Sequence, residues 1–121
     1  MKKRTIRKAT IEKGLSRKQR RNARKLRSII ADRDDDPDRR ASALVCYLGA
    51  IMPEAAVRQQ QIIANRCLFD PDNGMRFTAA AALSDGWIEP NAAIVDCMRM
   101  LADDPYSPIQ GCVAKFLEEH R

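Results

Sequence analysis

Asp70-Pro71-Asp72-Asn73-Gly74-Met75-Arg76-Phe77-Thr78-Ala79-Ala80-Ala81-Ala82-Leu83 decides how this chain folds. Asp-Pro is a helix-start signal. An Asp carboxylate can accept from the free N–H groups of a first turn, and Pro fits the first helical position because its missing N–H is not needed there. Met75, Ala79, Ala82 and Leu83 then recur at i, i+4, i+7 and i+8, which is one face of an α-helix. The same dipeptide stands at an equal step on either side, earlier at Asp36-Pro37 and later at Asp104-Pro105. At that step the columns read Ala41/Met75/Ile109, Val45/Ala79/Val113, Leu48/Ala82/Phe116 and Gly49/Leu83/Leu117. Eleven of these 12 positions are apolar and the other is Gly, so three helices are expected to bury equivalent faces.

Second helices fit between them, one from near Pro53 toward Leu68 and one from near Pro90 toward Leu101 or Ala102. The order is therefore helix, turn, helix, turn, with a period of about 34 residues, in the range of helical-repeat arrays. Asp70-Pro71, a short polar gap, Met75-Arg76 and the Ala-rich run to Leu83 resemble the start of a HEAT repeat. Gly86-Trp87-Ile88, Ala93-Ile94, Leu101 and Asp103-Asp104-Pro105 resemble the rest of the unit and the start of the next. The resemblance covers roughly residues 34–119, with Arg76 at the family's Arg and Ser42 and Gln110 at the equivalent places. It implies an all-α fold, a short α-solenoid of HEAT-like helical hairpins with about five or six helices, used as a binding surface. The repeat domain spans residues 32–121, with units near 36–69, 70–103 and 104–121.

Ahead of it lies a different kind of sequence. Residues 1–31 hold 13 Lys or Arg against one acid, Glu12, a net +12; the other 9 bases and 15 acids give residues 32–121 a net −6. Residues 1–13 read as a basic tail or short helix, and residues 14–31 as a basic amphipathic capping helix. Ser16 and Gln19 have the spacing of a capping box. Leu15, Ala23, Leu26, Ile29 and Ile30 fall on one side of that helix, with Arg17, Arg20, Arg21, Arg24 and Arg27 on the other, flanked by Lys18 and Lys25. Stability alone would mix signs here, because like charges four apart repel and Arg17 and Lys18 oppose the macrodipole. The run resembles arginine-rich RNA-binding segments, and the planar fork of Arg suits phosphate oxygens. No aromatic interleaves it, so base stacking by the arm is not expected. The apolar face lacks Trp and Phe, which makes it a core face and not a lipid-binding one.

A catalytic motif is missing from the sequence. The single His120 is next to the last residue, and no phosphate-binding loop or nucleophile elbow occurs. Asp32, Asp34, Asp36 and Asp38 alternate like a calcium loop, but the sixth and twelfth places hold Pro37 and Ala43, or Arg39 and Val45. Cys46, Cys67, Cys97 and Cys112 lack zinc spacing and fall within helical apolar patterns, so reduced core thiols in a cytoplasmic protein are expected, with no cofactor and no metal. No stretch approaches the length of a membrane span or a secretory signal.

These features predict a non-enzymatic interaction module, whose body holds a protein partner and whose arm meets nucleic acid or an acidic surface. Gln59, Gln60 and Trp87 are the candidate partner contacts, Trp87 also being suited to plug the end of the core. The alternatives are a nucleic-acid-binding protein in which the repeats only scaffold the basic helix, a HEAT-like enzyme or enzyme accessory, and an oligomer in which the arm pairs with a neighbouring copy's acidic body.

Overall fold

The computed structural model describes residues 14–120; the expectation for residues 1–13 lies outside them. Among the described residues there are six α-helices and no strand. They are α1 (Arg17–Ala31), α2 (Pro37–Gly49), α3 (Glu54–Cys67), α4 (Asn73–Ser84), α5 (Ala92–Met100) and α6 (Ser107–Glu119), with a 3-10 turn, Leu101–Asp103, after α5. The all-α class and the helix number are as expected. No helix of the described residues is long and apolar enough to cross a membrane.

The helices pack in two rows. α1 lies on α2, α2 on α4 and α4 on α6; α3 and α5 touch each other and lean on α4 and α6 respectively. The core is mainly aliphatic with two buried rings, Tyr47 and Phe116, and runs from Leu44, Tyr47 and Leu48 through Met75, Ala79 and Leu83 to Ile109, Val113 and Phe116. Ala79 and Ala80 are wholly buried, so α4 can approach its neighbours closely. α4 ends in a Schellman turn: Trp87 N–H donates to Ala82 O and Gly86 N–H to Leu83 O, with Gly86 at φ +75°. The left-handed backbone there is why a glycine precedes Trp87.

The three Asp-Pro pairs do not act alike. Asp36 is the N-cap of α2, accepting from Arg39 N–H at 3.0 Å. In the next two units the helix begins two residues later than the dipeptide suggests. Asp72 caps α4, accepting from Met75 N–H, and α6 starts after Tyr106 without a side-chain cap. Asp70 and Asp104 instead accept from the N–H two residues on, that of Asp72 at 3.0 Å and of Tyr106 at 2.9 Å. α2 is thus offset by two residues from α4 and α6. The expected columns hold from Met75 to Ile109, Ala79 to Val113 and Ala82 to Phe116, all buried, but Val45 and Gly49 of the first unit are exposed. Leu44, Tyr47 and Leu48 face inward in that unit. The same offset brings Cys46 to the surface, against its expected core position. Cys67 is a core thiol, and burial pushes it up to about 12.

Candidate nucleic-acid interface

Helix α1 has the predicted start and faces. Gln19 N–H donates to Ser16 Oγ at 3.1 Å and Ser16 N–H donates to Gln19 Oε1 at 2.8 Å, closing the capping box. Leu15, Ala23 and Ile30 are buried, with Leu26 and Ile29 packed beside the core. Arg17, Lys18, Arg21, Arg24 and Lys25 are exposed; Arg20 and Arg27 are half-buried. The structure therefore brings the seven predicted basic residues onto one helix and keeps five of them in solvent.

Three contacts hold that helix against the body. At its start, Gly14 lies so close to Pro53 that an added Cβ would come within 3.1 Å of the ring, and Gly14 has φ +86°. In the middle, the Arg27 guanidinium lies 6.0 Å from the centre of the Tyr47 ring, a cation–π contact. Burial pushes the Tyr47 hydroxyl up, while Arg27 pulls it down. At its end, Arg40 of α2 donates to Ile30 O from Nε at 3.1 Å and from Nη2 at 2.7 Å. Ile30 O is one of the carbonyls a helix end leaves without an intrahelical partner. The cations of α1 are thus carried on a docked helix, with little of the ordering cost of a loose arm.

Arg40 does a second thing. It also donates to both carboxylate oxygens of Asp70, at 3.2 Å and 2.7 Å, and both side chains are nearly solvent-free. Arg76 repeats the arrangement one unit on, donating to Asp104 at 3.0 Å and 3.3 Å. These are inter-unit ion pairs. Arg40 is the fourth residue of α2, Arg76 the fourth of α4 and Gln110 the fourth of α6. Counted from the helix starts, the residue equivalent to Arg76 in the first unit is Arg40 and not Ser42, which the sequence period selects. Gln110, uncharged, donates to Asp104 O at 2.7 Å. Burial alone would raise the Asp70 carboxyl, but Arg40 and the Asp72 N–H outweigh it and hold it below its ordinary value. The Asp104 carboxyl is lowered in the same way, by Tyr106 N–H and Arg76 against burial.

The candidate partner residues separate. Gln60 is 1% exposed, and its amide donates to Tyr47 O at 2.9 Å and Ala50 O at 3.1 Å. It closes the end of α2 and is not offered to a partner, which corrects its place among the contact residues. The physical reason is that α2 ends without a glycine cap, so its last carbonyls need a donor. Gln59 is half-buried beside α1. Trp87 is 45% exposed, rests on Gly49, and forms an open apolar groove with Val45, Cys46 and Ala50.

His120 stands at the C-cap of α6 with its ring stacked on Phe116 at 4.4 Å. Among the described residues no three His, Cys, Asp or Glu side chains converge as a metal site. Comparison with family models, with curated proteins and with solved structures finds no match to this chain.

Proposed function

We propose that this chain is a non-enzymatic binding module of HEAT-like build, in which α1 binds the phosphate backbone of nucleic acid. One observation supports this above the others: seven Arg and Lys share a helix that three contacts hold against the body, with five of them exposed. The five Arg among them favour phosphate, whose oxygens their forks can meet in parallel pairs. Nothing on α1 stacks on bases, and contacts to phosphates carry no sequence information, so recognition would be independent of sequence.

Fluorescence anisotropy with labelled duplex DNA and single-stranded RNA, across a salt series, tests the reading. The expected result is binding that falls linearly on logarithmic axes as salt rises. The triple variant Lys18→Glu, Arg21→Glu, Lys25→Glu should lose it while its circular dichroism stays helical. Equal binding by this variant would overturn the role of α1.

A second reading concerns the body. The groove at Trp87, with Val45 at 43% and Ile51 at 97% exposure nearby in sequence, supports a protein partner held there. Trp87 is the chain's sole tryptophan, so a blue shift of its emission on adding a partner, absent with nucleic acid, would support that separate surface.

A further inference from the structure

Charge arithmetic assigns the cations to α1 and leaves the rest of the chain acidic, but the packing redistributes them. The basic face of α1 has two flanks. Arg17, Arg20, Arg24 and Arg27 follow one another at steps of three and four, which makes one stripe; Lys18, Arg21 and Lys25 make the other. The first stripe turns toward α3. Arg20 and Arg27 line a small cavity with Gln59 of α3, and near the other end of α1 a cleft of about 150 Å³ is lined by Ile30, Arg33, Ile63, Arg66 and Asp70. α1 and α3 therefore lie side by side along a seam, their starts joined through Gly14 and Pro53 and their ends at this cleft.

Of α3's two arginines, Arg66 lines the cleft and Arg58 is exposed two turns earlier on the same helix, while Glu54 is its one acid. Within the cleft, Arg33, Arg40 and Arg66 face Asp70, for a net of +2. Asp70 is already held on both oxygens by Arg40, so it repels an incoming anion less than a free carboxylate would. Beyond Arg33 the chain turns acidic at Asp34, Asp35 and Asp36, which bounds the seam at that end.

From this we infer that the nucleic-acid site is a two-walled track between α1 and α3, in which Arg58 and Arg66 take backbone phosphates opposite the α1 arginines. The inference rests on the proposed function and sharpens it. From Arg20 to Ala31 the track runs about 17 Å at 1.5 Å per residue, which equals the axial rise of about five base pairs of duplex at ~3.4 Å each. The track accounts for the partial burial of Arg20 and Arg27, which face it, while Arg17 and Arg24 of the same stripe stay exposed at its rim.

The test compares the full-length double variant Arg58→Gln, Arg66→Gln with the double Lys variant at the same positions and with the α1 triple variant, on the same duplex and single-stranded probes. Both positions are exposed, and unchanged melting by circular dichroism checks that the fold survives. The Gln variant should bind about tenfold more weakly, with the salt slope reduced by about two, one for each lost phosphate contact. The Lys variant should retain most of the affinity and the wild-type slope, because a point charge remains. Wild-type binding and slope in the Gln variant, together with loss in the α1 variant, would overturn the track and leave α1 as the sole contact. Absence of binding by the wild-type chain would overturn both the track and the function it rests on.

Discussion

Asp36-Pro37 and Asp70-Pro71 are the same dipeptide, one repeat apart, put to two uses. Asp36 stays with its own helix and caps it. Asp70 turns to α2 of the preceding unit and receives Arg40, while Asp72 takes over the cap. The difference is a two-residue delay in where the helix begins, and its cause lies outside the segment. A buried guanidinium from the preceding unit needs a carboxylate, and another cap, Asp72, stands two residues on. A repeated local motif thus fixes that a helix begins nearby, while the neighbouring unit decides which residue begins it.

The contrast yields its largest effect at Asp70→Asn. Asn caps helices as well as Asp does, so a capping role would be preserved, but the charge of Arg40 would be left buried without a counter-ion. A loss of about 3–5 kcal/mol is expected, read by urea denaturation. A loss below about 1 kcal/mol would show that Asp70 is only a cap. Asp104→Asn is expected to cost less, about 1–3 kcal/mol, since Arg76 is more exposed than Arg40 and also donates to Asp70 O at 2.9 Å.

Acid titration probes both pairs at once. The two carboxyls lie below their ordinary value of 3.8 in the folded chain, so the stability they contribute is present above that pH. It is lost as pH falls through the lower, folded values. The melting temperature should hold from neutral pH to about pH 5 and then drop, less steeply in Asp70→Asn, where one of the two groups is gone. Parallel acid curves for the variant and the wild type would contradict the assignment of Asp70. The smallest effect belongs to the other side of the comparison. Asp36→Asn should shift stability by no more than about 0.5 kcal/mol, whereas Asp36→Ala should cost about 1 kcal/mol by losing the cap altogether.

What is legible in the sequence follows the range of the interactions. The capping box of α1 joins Ser16 to Gln19, three residues on, and can be read directly with the helix that follows. The faces of α4 and α6 are legible because period and burial agree there. The first unit misleads, since Ala41, Val45, Leu48 and Gly49 carry the repeat period while the packing selects Leu44, Tyr47 and Leu48. Gln60 looks like a polar intruder in an apolar helix; its partners are two carbonyls at the end of another helix, which a linear reading does not bring together. Arg58 and Arg66 are hidden by the charge count: they belong to a segment of net negative charge, and only the fold sets Arg66 in a cleft beside α1. A signal for both is present in their spacing of eight along one helix face.

The inter-unit pairs also give the array a direction. Each pair runs forward, from the fourth residue of one helix to the Asp that opens the next unit: Arg40 to Asp70, then Arg76 to Asp104. In the terms of a growing polymer, the first unit carries only the cationic end, with Asp36 left to cap, and α6 carries the uncharged Gln110 where an Arg would stand. The middle unit alone, residues 70–103, carries both ends, an acceptor at Asp70 and a donor at Arg76. A second copy of that unit inserted after residue 103 would find each of its charged ends matched, whereas a second copy of the first unit would bring Asp36 where Asp70 now serves, in a turn built to cap. The monomer from which this chain could be lengthened is the one in the middle.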